Sequence, residues 1–142
     1  MYVQIFIPDV VAAFQKMEHA INQHCNESAP SNSSAPMRPG DFCVARSSVD
    51  GVWYRARVAE TVENGAAFKV MFIDYGNKEV VKVSDVRPFL EQFSKVPAMA
   101  VHCTLARVCP PGGGKTWNKE ASEYVSKLVS SSFVIDPTLY YC

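Results

Sequence analysis

Two runs decide the reading of this chain: Trp53-Tyr54-Arg55-Ala56-Arg57-Val58 and Phe72-Ile73-Asp74-Tyr75-Gly76-Asn77. Each reads as a strand, and the second ends in a turn at Tyr75-Gly76-Asn77. Asn64-Gly65, a strong hairpin signal, lies between them, so they are predicted to be neighbours. Successive side chains on a strand point to opposite faces. One face enters a core, and the other looks out near the strand ends. An aromatic near the start of one strand then meets aromatics near the end of its neighbour. Tyr54, Phe72 and Tyr75 are therefore candidates for the walls of one pocket, and equally candidates for core rings. A box of such rings attracts a cation through the ring quadrupoles.

Working outward, more short strands appear. Asp41–Arg46 precedes the first run, and Asp50-Gly51 turns the chain into Trp53–Thr61. Ala67–Asp74 follows, then Glu79–Val83 and a short Val86–Phe89. Strands this short, joined by turns this tight, predict a small antiparallel barrel. Gly76 is expected to take positive φ. Asp74 is expected to cap its turn or to pair with Arg55 or Arg57.

The flanks differ in pattern. Val3–Ile7 reads as a strand. Val10, Val11, Phe14, Met17 and Ile21 recur at helical spacing behind Pro8, which suits a first helical turn. That helix is expected to fade around Gln23–Asn26. Residues 27–39 are rich in Ser, Pro and Asn and read as a linker. Past the barrel, Leu90–Val96 reads as a helical turn and Ala98–Val108 as a strand. Cys109–Lys115 reads as a loop, and Trp117, Ala121, Tyr124, Val125 and Leu128 mark an amphipathic helix. Phe133–Tyr141 is apolar and strand-like, with no closing turn before Cys142. The fold class is mostly β with flanking helices.

Bulk composition narrows the function classes. The chain has 142 residues, enough for one domain or a small domain with an appended piece. Lys+Arg and Asp+Glu number 14 each, so no global charge favours nucleic acid or an anionic membrane. Five cysteines are scattered without a CxxC pair, which reads as reduced thiols rather than a zinc site. No signal peptide and no membrane-length apolar run is read.

The runs Gly40-Asp41-Phe42-Cys43-Val44-Ala45-Arg46, W-Y-R-A-R-V and F-I-D-Y-G-N together resemble the Tudor domain. Within that family they are similar to the extended Tudor domains of the germline Tudor proteins and of the Tudor-staphylococcal-nuclease protein. The motif match covers about Pro39 to Phe89, and the flanks match in layout. The resemblance implies a small SH3-like Tudor barrel at 39–96. It also implies a partial OB-like, staphylococcal-nuclease-like subdomain built from 1–26 and 97–142, with 27–38 as linker and the last part truncated. The family holds a symmetrically dimethylated arginine with four aromatics and one asparagine. By resemblance Tyr54, Phe72 and Tyr75 fall on three aromatic positions and Asn77 on the asparagine. The first aromatic position falls in Ser47-Ser48-Val49-Asp50-Gly51-Val52, which has no ring, so three walls are expected.

The implied function is non-catalytic: a reader of arginine-rich tails of PIWI-type proteins, symmetrically dimethylated or unmethylated, in the piRNA pathway. The implied location is cytoplasmic, in germline perinuclear granules. No cofactor or metal is expected. The alternatives are an RNA-binding module, since the flanking subdomain resembles oligonucleotide binders, and a scaffold with a degenerate cage. Gly114-Lys115-Thr116 evokes a phosphate loop, but Cys109 stands where its first glycine belongs, and Pro110 and Pro111 lack N–H groups. His19, His24 and His102 have no Ser/Asp pattern around them, and His102 and Cys103 on one strand would face opposite ways.

Overall fold

Turn chemistry and alternation set the central sheet. The computed structural model describes residues 2–4, 7–28, 37–62, 65–103, 109–110, 114 and 116–130. The elements are β1 (Tyr2–Gln4), α1 (Pro8–Glu27), β2 (Phe42–Arg46), β3 (Trp53–Val62), β4 (Ala67–Phe72), β5 (Lys78–Lys82), β6 (Val86–Pro88), β7 (Ala100–His102) and α2 (Lys119–Ser130). Short 3-10 turns occupy Val83–Asp85 and Glu91–Ser94.

Strands β2 to β6 form one antiparallel sheet in the order β5-β4-β3-β2-β6. The register pairs Ala45 with Tyr54 and Ala56 with Phe72. A bulge between Val58 and Glu60 bends β3, as curling a sheet into a barrel requires. The inward side is small and apolar: Cys43, Ala45, Ala56, Val58, Val70, Phe72 and Val81 are buried together.

Helix α1 covers a second core. Phe14, Met17, Ile21 and Cys25 form the buried stripe of α1, at the spacing expected of one helix face. They pack with Val44, Trp53, Phe93, Val96 and Met99. Asn22 fastens the helix to β3. Its Oδ1 accepts from Trp53 N (2.9 Å) and its Nδ2 donates to Trp53 O (3.0 Å). Asn26 Oδ1 accepts the Trp53 indole N–H at 3.1 Å. β1 and β7, from before and after the central sheet, pair antiparallel, Val3 against Val101.

The chain divides into two compact units, Met1–Thr104 and Leu105–Cys142. In the first unit β7 pairs with β1, and Ala100 N donates to Ile73 O (3.2 Å). In the second unit, Asn118 caps α2: its Oδ1 accepts from Ala121 N at 2.8 Å.

Most element expectations hold to within two residues. The strand expected over Ala67–Asp74, β4, ends at Phe72, because Tyr75 N and Gly76 N both turn back to Phe72 O (3.3 and 2.7 Å). Of the strand expected over Ala98–Val108, three residues are β; 104–108 lie outside the described residues, as do 5–6, 29–36 and the apolar segment Phe133–Tyr141. Gly76 has φ +83°, and a Cβ there would overlap the Tyr2 side chain.

Candidate functional site

The hairpin of β3 and β4 brings the two decisive runs together. Ile73 N donates to Arg55 O (3.1 Å), so pairing continues past the strand end. Phe72 N donates to Asn77 O (3.0 Å), which closes the turn and presents Tyr75 and Asn77. Tyr54, Phe72, Tyr75 and Asn77 line one cleft of about 330 Å³. Tyr54 meets Phe72 edge to face at 5.7 Å between centroids and meets Tyr75 at 5.1 Å. Both readings of Phe72 apply: it is 1 % exposed, a core ring with one edge to the cleft. Tyr75 is 41 % exposed and is the open wall.

Carboxylates hold the two phenols. Tyr54 donates its hydroxyl to Asp50 Oδ2 (2.7 Å), and Tyr75 donates to Glu18 Oε1 of α1 (2.7 Å). Burial, then the bond to Asp50, pushes the Tyr54 phenol up to about 12. Burial and the bond to Glu18 raise Tyr75 as well. The Val52 N–H, then the Tyr54 hydroxyl, hold Asp50 below the ordinary carboxylate range. Phe14 packs against the Tyr75 ring at 6.4 Å, so α1 sets that wall from behind.

The loop after β2 supplies the rest. Ser47, Val49, Asp50 and Glu79 line the same cleft. Glu79 ties the loop to β5. Its Oε1 accepts from Ser47 Oγ (3.2 Å), and its Oε2 accepts from Ser48 N and Ser48 Oγ (both 3.0 Å). Asn77 Nδ2 stands 3.5 Å from Glu79 Oε1. Flat rings, one amide and carboxylates that have no ion partner among the described residues suit a planar cationic group with N–H donors.

Asp74 is not part of this cleft. It is buried beside Arg55, which donates Nε–H to Oδ2 (2.9 Å) and Nη2–H to Oδ1 (2.5 Å). Arg55 also donates to the carbonyls of Phe93, Val96 and Pro97. All five of its donors are thus used. Met99 N donates to Asp74 Oδ1 (3.1 Å).

Sequence alone does not single out Glu18, Asp50 or Glu79. Glu79 carried one signal, its place two residues past Asn77 at the start of the next strand. Glu18 carried none, because its place depends on how α1 docks. Among the described residues no cluster of His, Cys, Asp and Glu is placed to hold a metal ion, and no helix is long and apolar enough to cross a membrane.

Comparison with known proteins bears on the family and the fold. The Tudor domain family matches over residues 2–107. Mouse Tudor and KH domain-containing protein is 34 % identical over 113 residues, 80 % of this chain and 19 % of that protein. The chain spans about a fifth or less of the length of the curated relatives first matched. Among solved structures, extended Tudor domain TD3 of mouse TDRD1, in complex with a MILI peptide containing dimethylarginine, superposes with a TM-score of 0.82 at 32 % identity. That match covers 92 % of this chain and 64 % of the other. The human TDRD1 extended Tudor domain, in complex with a symmetrically dimethylated peptide, gives 0.81 at 27 % identity, covering 92 % and 63 %.

Proposed function

The chain belongs to the Tudor domain family, and from that premise we propose that it is a non-catalytic reader of arginine-bearing peptides. Tyr54, Phe72 and Tyr75 are the walls, and Asn77 is the acceptor for a guanidinium N–H. The observation that carries the reading is the convergence of these four side chains on one open cleft. Each ring facing a cation contributes about 0.5–1 kcal/mol when exposed and about 2 when dry. A single cleft of this kind gives affinity on the order of micromolar, about −8 kcal/mol.

The mouse TDRD1 domain, solved with a dimethylarginine-containing MILI peptide, supports a PIWI-type protein tail as the partner class. With a partner of that class, we infer a role for the parent protein in the piRNA pathway and in cytoplasmic germline granules.

Calorimetric titration with an Arg-Gly-rich peptide tests the reading. We expect saturable binding in wild type and loss of at least about tenfold in Tyr75→Ala, which removes the exposed wall. Absence of heat with every arginine peptide, methylated or not, would sink the reading and leave a scaffold.

A further inference from the structure

Resting on the reader function above, we propose that Glu79 is the specificity-determining residue of the cleft, and that it makes the site select arginine with its full set of N–H groups over symmetrically dimethylated arginine.

The first argument is what occupies the place without a ring. Residues 47–52 contribute no aromatic. What stands against the cleft there is Ser47, Val49, Asp50 and the Glu79 carboxylate. A methyl group on the ligand gains apolar contact from a ring and little from a carboxylate.

The second is charge. Two carboxylates, Asp50 and Glu79, line the cleft. Among the described residues neither makes an ion pair; the pairs present are Arg55–Asp74, Lys69–Glu60 and Lys119–Glu123. Arg46, the cation across the same turn, donates its Nε–H to Gly51 O at 2.8 Å. A cleft of one sign with apolar walls concentrates a cation.

The third is donor count. A guanidinium carries five N–H donors and matches a carboxylate in a two-bond fork. Symmetric dimethylation keeps the charge, removes two donors, and puts a methyl on each terminal nitrogen. Charge alone therefore does not discriminate the two forms; a carboxylate does. Glu79 is held for this by Ser48 N–H, a main-chain donor that does not turn away. Its other close donors are the Ser47 and Ser48 hydroxyls, which rotate and can release acceptor capacity to a ligand. With Nδ2 toward Glu79, the Asn77 amide directs its oxygen away from the carboxylate, so amide and acid present separate acceptors.

The test uses one Arg-Gly-rich peptide in unmethylated, monomethylated and symmetrically dimethylated forms, titrated into wild type and Glu79→Gln. We expect wild type to bind the unmethylated form about tenfold tighter than the symmetric dimethyl form, with the monomethyl form between them. In Glu79→Gln, the unmethylated peptide should weaken about tenfold and the dimethylated one by less than about threefold, so that the preference disappears. Wild type preferring the dimethyl form, or Glu79→Gln weakening all three equally, would overturn the proposal while leaving the reader function standing. Binding of none of the three would end both. If Glu79→Gln does not fold, Glu79→Asp serves in its place, and a wild-type preference for the dimethyl form overturns the proposal without any variant.

Discussion

Two kinds of carboxylate in this barrel do opposite work. Asp74 is 2 % exposed and is forked by the guanidinium of Arg55, itself 2 % exposed. Asp50 and Glu79 line an open cleft and, among the described residues, receive hydrogen bonds from neutral hydroxyls, an amide and main-chain N–H groups. A buried carboxylate that stays charged needs compensation close by, because desolvation is costly, and here Arg55 supplies it. An acid at a cleft has water for that purpose and can exchange it for a ligand. An internal cation therefore marks a structural carboxylate, and its absence beside aromatic walls marks one available for recognition.

The largest effect should come from breaking the buried pair. Asp74→Asn or Arg55→Ala should destabilise the protein by about 3–5 kcal/mol, read by urea or thermal denaturation. Replacing both by apolar residues should not restore stability. Arg55 also serves the carbonyls of Phe93, Val96 and Pro97, and Asp74 serves Met99 N, so four main-chain groups would lose their partners. Full recovery in the double variant would show that the pair is replaceable and weaken the contrast.

Next comes the turn that separates the two groups. Gly76→Ala should cost about 1–2 kcal/mol for the left-handed backbone and about 1–3 kcal/mol more for the overlap with Tyr2. Adding Tyr2→Gly, which removes the Tyr2 Cβ as well as its ring, should relieve the overlap and leave the backbone part, a difference measurable by denaturant titration.

Smaller effects are expected at the cleft. Asp50→Asn and Glu79→Gln should each change stability by less than about 1 kcal/mol, since both acids are solvated and lack ion partners. A loss as large as that of Asp74→Asn would erase the distinction between the regions.

The smallest effects are in pH. Tyr54 ionises at about 12 in the fold against an ordinary 10.0. The stability this contributes is present below about pH 10 and is lost as pH rises through about 12. Asp50 is shifted the other way. Its contribution is present above about pH 3.9 and is lost as pH falls through its lowered value. Ultraviolet titration of the tyrosines should show late-ionising phenols, with one fewer in Tyr54→Phe.

Much of the barrel was legible from local pattern. Asp50-Gly51, the signal around Gly65, and Tyr75-Gly76-Asn77 mark turns by backbone chemistry that acts within a few residues. Gly51, Gly65 and Gly76 all take positive φ. Alternation then aligned Tyr54 with Phe72 and Tyr75. The pairing of Asp74 was narrowed to Arg55 or Arg57, and burial decided for Arg55, because Arg57 faces outward and donates to Gly40 O instead.

The sequence by itself determined the strands, their turns, the α1 stripe and three rings near one another, since these follow from periods of 2.0 and 3.6 and from turn preference. Only the tertiary structure decided which charges are paired and which are left open. Glu18 reaches Tyr75 across 57 residues, Glu79 reaches Ser47 across 32, and Arg55 reaches the carbonyl of Pro97 across 42. Such contacts depend on how helix and loops pack on the barrel, and no local periodicity encodes that packing.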